Sequence, residues 1–126
     1  MKAIVYEETP IKECVSKVKY ISDALYVLNG KWKFPLIFTL KAKPLRFSEI
    51  LALVEGITPK VLTKELRDLE MHGFVVRKGV ETMPIAVIYE ITPYSESLRD
   101  VLRELGRWGE KHREIVKQSI RNHHGA

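Results

Sequence analysis

Lys60, Thr63, Lys64 and Arg67 stand at i, i+3, i+4 and i+7, the spacing that places side chains on one face of a helix. Three cations and a hydroxyl, with no carboxylate among them, make a hydrogen-bond donor surface. Its natural partners are phosphate oxygens and the O6 and N7 acceptors of guanine. Thr58 opens the segment as a candidate N-cap, Pro59 takes the favoured first helical position, and Gly73 closes it, so a helix is expected over 58–72. The free N–H groups and dipole at its start add a preference for phosphate. Leu62, Leu66 and Leu69 form a stripe on another face, suited to packing on a core and flanked by Val61 and Glu65. Glu65, Asp68 and Glu70 fall in the later turns, so the basic first half would approach an anionic partner while the second half rises away.

Taken alone, such a segment is more often a solvated amphipathic surface helix. Its surroundings favour the sharper reading. Ser48 and Glu49 open a short apolar helix through Ile50, Leu51, Leu53 and Val54, and Glu55-Gly56-Ile57 makes a tight turn into the basic helix. A short helix, a tight turn and a helix with a basic first half match the reading pair of a helix-turn-helix. After Gly73 the apolar period changes from about 3.6 to 2. Phe74–Lys78 reads as one strand, and Ile85, Val87, Tyr89 and Ile91 alternate on a second, joined by 79–84 as an antiparallel hairpin over 74–91. Arg77 and Lys78 lie just before its tip, where they could follow a phosphate backbone. Glu81 at the tip argues against deep minor-groove insertion.

Further elements flank this unit. Val18, Ile21, Leu25 and Leu28 repeat at helical spacing over 15–28, ending near Asn29-Gly30, and Trp32, Leu36, Ile37 and Leu40 mark a second helix over 31–41. Lys43-Pro44-Leu45-Arg46 breaks the pattern. Thr92-Pro93 repeats the cap-then-proline signal before a long helix over 94–121 that carries Leu98, Val101, Leu102, Leu105, Trp108, Ile115 and Val116. That stripe, with Ile120, extends about three turns past what a small winged helix can cover. Leaving it in water costs about 25 cal/mol per Å² of apolar surface, and a two-fold partner is the natural cover. The expected fold is therefore mainly α with a small β-hairpin, a winged helix-turn-helix with additional N- and C-terminal dimerisation helices, in one domain spanning 1–126.

The charge agrees with this placement. The chain of 126 residues carries a formal net charge of +5. Ten basic residues oppose five acidic ones between Lys31 and Gly79, whereas the remainder is balanced at eleven of each. The whole excess thus falls in the segment proposed to meet phosphates. No apolar run is long enough to cross a membrane, and Glu7 and Glu8 stand where a secretion signal would need an apolar stretch. A soluble, cytoplasmic protein is expected. The single cysteine, Cys14, excludes an intrachain disulfide.

Nothing assembles an active site. His72, His112, His123 and His124 are scattered without compact ligand spacing, and no glycine-rich phosphate loop or nucleophile elbow is present. Neither enzymatic activity nor a metal or other cofactor is expected.

Several segments together resemble the HxlR-type winged-helix regulators, a MarR-like family. They are Gly30-Lys31-Trp32, Arg46-Phe47-Ser48-Glu49-Ile50, and Gly56-Ile57-Thr58-Pro59-Lys60-Val61-Leu62-Thr63, then Leu66, Leu69-Glu70 and Gly73. Pro84, Val87, Tyr89, Ile91 and Thr92 follow in order, with a late Leu105 and Trp108, so the likeness covers roughly 18–112. It implies a homodimeric bacterial transcription regulator whose terminal helices form the dimer interface and whose partner is a double-stranded, pseudo-palindromic DNA operator. Carried over by position, the reading face is Thr58, Lys60, Thr63, Lys64 and Arg67, with Arg46 and Ser48 near the DNA backbone. Ser95 stands where the family usually has glycine. Some relatives use a cysteine near the first helix as a redox sensor; that position falls near Lys19 here, and Cys14 lies about one helical turn earlier. Redox sensing by Cys14 is the lesser expectation. The alternatives to sequence-specific DNA binding are a winged-helix protein-interaction module and an effector- or redox-responsive sensor without a conventional operator.

Overall fold

The computed structural model describes residues 3–5, 10–81 and 86–124. Helices α1 (Ile11–Val27) and α2 (Lys33–Ala42) lead into a two-residue strand β1 (Leu45–Arg46) and then α3 (Phe47–Leu53) and α4 (Pro59–Met71). Strands β2 (Val75–Val80) and β3 (Ala86–Ile91), a 3-10 turn over Pro93–Leu98, and α5 (Arg99–His124) complete the chain. The elements are those of a winged helix-turn-helix.

Several details differ from the sequence expectation. Leu45–Arg46, expected to be a break, forms a third strand: the sheet is antiparallel in the order β1-β3-β2, with Leu45 opposite Tyr89 and Arg46 opposite Ile88. Pro44 disfavours the helical region for Lys43, which adopts φ −171° and ψ 161°, ends α2 and delivers an extended segment to the edge of β3. Gly79 and Val80 belong to β2 rather than to the hairpin link, so the first strand runs further toward the tip than expected while the hairpin stays within 74–91; Ile85 and Pro84 lie outside the described residues. The long helix begins at Arg99 instead of Tyr94. Before it, the Ser95 hydroxyl donates to the Thr92 carbonyl at 2.6 Å and the Ser97 hydroxyl to the Tyr94 carbonyl at 2.7 Å, local bonds that suit the tighter turn. The first helix starts four residues earlier than expected, at Ile11.

One core joins these elements. Leu36, Ile37 and Leu40 of α2 meet Leu45, Ile50 of α3 and the stripe Leu62, Leu66 and Leu69 of α4, closed by Phe74, Val75 and Leu98. Helix α2 packs on β3 and α4 on β2. The terminal helices contribute almost nothing. Helix α1 has no buried residue, and from Arg99 to His123 every residue except Leu102 is exposed.

Candidate nucleic-acid interface

Local chemistry fixes both ends of α4. The Thr58 hydroxyl accepts the Val61 N–H at 3.3 Å, capping the helix as its sequence predicts, with Pro59 at the first helical position. At the other end Gly73 takes φ +82°, where a side chain would be strained. The Phe74 N–H then donates to the Leu69 carbonyl at 2.9 Å and the Gly73 N–H to the Glu70 carbonyl at 3.1 Å, the paired bonds of a Schellman stop. Upstream, Gly56 at φ +87° lets the chain turn between α3 and α4. Its α-carbon faces Trp32, whose ring would lie 3.7 Å from an added β-carbon.

With Leu62, Leu66 and Leu69 buried, the opposite side of α4 is turned to solvent. Lys60, Thr63, Lys64 and Arg67 are all exposed, and none of the three cations forms an ion pair among the described residues. The Thr63 hydroxyl donates to the Pro59 carbonyl at 2.8 Å, so its lone pairs face outward and it would have to rotate to donate to a phosphate. The Thr58 hydroxyl serves the cap as an acceptor, which leaves its own O–H available. Lys60, Lys64 and Arg67 are therefore the charged donors of this face, with the Thr58 O–H at the start of the helix.

The sheet brings two other predicted residues together. Arg46 on β1 and Lys78 on β2 both pair with Ile88, from opposite sides, so they occupy one row on one face, roughly 10 Å apart across two strand spacings. Arg46 is exposed, and its backbone N–H donates to the Glu49 carboxylate at 2.9 Å, which closes the start of α3. Ser48 is exposed in that first turn. Lys78 pairs with Glu90 at 2.7 Å, an exposed contact that a phosphate can displace. Arg77, opposite Tyr89, projects from the other face of the strand, exposed and without an ion-pair partner among the described residues. Adjacent residues of a strand point to opposite faces, so Arg77 and Lys78 are not equivalent, although the sequence presents them as a pair.

Besides the Lys78–Glu90 pair, sequence reasoning missed a buried one. Lys33, counted among the central cations, is buried, and its Nζ lies 2.9 Å from Glu65 Oε2 and 3.8 Å from Asp68 Oδ2. It cannot reach a phosphate; because its partner Glu65 is equally buried, the exposed face keeps its positive balance. The available signal was a glutamate at the edge of the α4 leucine stripe, a place where an acid needs a partner.

Cys14 is an exposed free thiol on α1, at the spacing that aligns it with Val18, Ile21 and Leu25, which are also exposed. His72 is half-buried beside Phe74, and His112 stacks on Trp108 with ring centroids 4.7 Å apart. Among the described residues no three histidine, cysteine or acidic side chains cluster to hold a metal ion, and no helix is long and apolar enough to cross a membrane.

Residues 27–117 match the family described as HxlR-like helix-turn-helix. The HTH-type transcriptional regulator BH0655 of Halalkalibacterium halodurans is 37% identical over 105 residues, covering 79% of this chain and 93% of its own. Among solved structures, a MarR-family regulator of Enterococcus faecalis V583 superimposes with a TM-score of 0.71 at 31% identity, covering 94% of this chain and 99% of its own. The redox regulator HypR in its reduced form gives 0.68 at 31% identity, over 78% and 97% of the two chains. The turn at Gly56, the capped helix behind it and the sheet that follows all lie inside the matched segment, and the chain belongs to the HxlR-like helix-turn-helix family of transcriptional regulators.

Proposed function

We propose that this regulator binds duplex DNA sequence-specifically as a cytoplasmic homodimer, with α4 in the major groove. The observation that carries this reading is the exposed face of α4. Three cations without ion-pair partners among the described residues stand on a helix that a leucine stripe anchors to the core and whose ends are set by a threonine cap and a glycine stop. Lys60, Lys64 and Arg67 reach base edges or phosphates. Thr58 caps the helix start and donates its free O–H to a phosphate, and Thr63 does so once it rotates away from the Pro59 carbonyl. Arg46, Ser48 and Arg77 contact the phosphate backbone, and Lys78 contributes when it exchanges Glu90 for a phosphate. Dimerisation is supported by the apolar residues that the terminal helices leave in water, among them Val18, Ile21 and Leu25 on α1 and Leu105, Trp108 and Ile115 on α5. A two-fold pair presents two reading helices to half-sites about 34–36 Å apart.

The test is fluorescence anisotropy on duplexes recovered by genome-wide mapping of bound sites. Lys64→Ala combined with Arg67→Ala is expected to weaken cognate binding by roughly 10- to 100-fold. The slope of log affinity against log salt should become shallower by about one for each phosphate that is no longer neutralised. Unchanged affinity for cognate and random duplex would remove α4 from the interface. Wild-type protein that binds every duplex weakly but forms a stable complex with another protein would support the interaction-module alternative.

A second reading, thiol control of DNA binding, has one observation of its own: Cys14 is exposed and lies on the apolar stripe of α1 that the dimer would cover. HypR, a redox regulator, is similar in fold. Under this reading diamide lowers cognate affinity and produces a cross-linked dimer on non-reducing gels, and Cys14→Ser abolishes both effects. Identical binding before and after oxidation disposes of it.

A further inference from the structure

We propose that Lys33 is a positioning residue for the reading helix: its buried ammonium pins α4 through Glu65 and so sets the direction in which Lys60, Lys64 and Arg67 point. The inference rests on the reading of α4 as the DNA-contacting helix.

Lys33 is the first residue of α2, where the helix dipole disfavours a cation, and the first turn of α2 holds no acid to offset it. Nothing in α2 itself explains a buried lysine there. The explanation lies on the neighbouring helix α4, where Nζ meets Glu65 Oε2 at 2.9 Å with Asp68 Oδ2 at 3.8 Å. Both members of the close pair are more than nine-tenths buried, at 8% and 7% exposure. Glu65 sits roughly 60° round the helix from Leu62, on the flank between the leucine stripe and Lys64. Leucine packing is non-directional and tolerates some roll of a helix about its axis. An ion pair at the flank is directional, and a change of roll would pull the carboxylate from the ammonium. Replacing a buried ion pair by apolar residues is often neutral for stability, so its use here is better assigned to orientation. The pair also lines a surface cleft of about 340 Å³ with Tyr26 and Val27 of α1 and Lys64 of α4, so the pin stands where α1, α2 and α4 meet.

The decisive variant is Lys33→Met with Glu65→Met, which removes both charges together. It is expected to fold, to bind cognate duplex about tenfold more weakly, and to bind random duplex within about twofold of wild type, so that discrimination falls while electrostatic attraction persists. A folded double variant with undiminished cognate preference overturns the proposal. If the variant does not fold, Glu65→Gln, which keeps the volume and one acceptor, is expected to lose discrimination in the same direction, and full retention overturns the proposal. Amide hydrogen exchange of the free protein supplies a readout independent of DNA. Exchange over Leu62–Leu69 should quicken in the variant relative to β2 and β3, and equal protection overturns the pin. Wild-type protein with no preference among duplexes would instead sink the DNA-binding reading, and the exchange measurement would still decide the role of Lys33.

Discussion

Leu66→Ala is expected to lower the unfolding free energy by about 2–5 kcal/mol, the range for truncating a buried leucine whose cavity does not collapse. Leu66 is 2% exposed and lies between Leu62 and Leu69, which belong to the same core as Leu36, Leu40 and Ile50. A domain of this size has about 5–15 kcal/mol in total, so one side chain accounts for a large part of it. At roughly 3–6 °C per kcal/mol the melting temperature should fall by about 6–30 °C, read by circular dichroism at fixed protomer concentration. Met71→Ala, at the end of the same helix but 71% exposed, serves as the control and should change stability by no more than about 0.5 kcal/mol. A loss below about 1 kcal/mol for Leu66→Ala would mean that α4 is not anchored as described. The variant also bears on binding, because the face that carries Lys60, Lys64 and Arg67 is no more rigid than the leucines behind it.

Trp108→Glu combined with Ile115→Glu is expected to convert the proposed dimer to a monomer and to weaken the proposed cognate DNA binding by about 10²- to 10⁴-fold, the gain that linking two weak half-site contacts supplies. Both residues are 65% exposed on α5 within the single chain, so the substitutions leave the fold of each protomer intact. Seven residues apart, they lie on one face with Leu105, and a carboxylate at each would face its symmetry mate across a two-fold seam. Sedimentation velocity reads the assembly state and anisotropy reads the affinity. A variant that remains dimeric would move the interface away from α5. A monomer that still binds as tightly as wild type would separate dimerisation from DNA recognition.

Much of this molecule was legible because its signals are local. The start and stop of α4 are chemical events within a few residues: Thr58 reaches Val61, Pro59 has no N–H to lose, and Gly73 accepts a left-handed turn. The leucine stripe and the opposed cations then follow from helical geometry alone, which is why both faces of α4 could be assigned from spacing. The same holds for the helix-turn-helix order and for the apolar excess of the last helix. Contacts between distant parts of the chain were not legible. Leu45–Arg46 is a strand only because β3, more than forty residues later, offers an edge to pair with. The bond between Lys33 and Glu65 spans 32 positions, and until the chain folds Lys33 counts as one more surface cation. Lys78 and Glu90 meet only once the hairpin register is set.

The grouping of Lys60, Thr63, Lys64 and Arg67 on one exposed face was thus determined by sequence, since helical spacing places them together on a side of α4 away from its leucines. Tertiary structure alone decided which cations remain free to use. Lys33 is buried against Glu65, Lys78 is drawn to Glu90, and Lys60, Lys64, Arg67, Arg46 and Arg77 stay without ion-pair partners among the described residues. The physical reason is the range of the interactions: caps, turns and helical faces are set by neighbours along the chain, whereas ion pairing depends on which carboxylate the fold brings within reach.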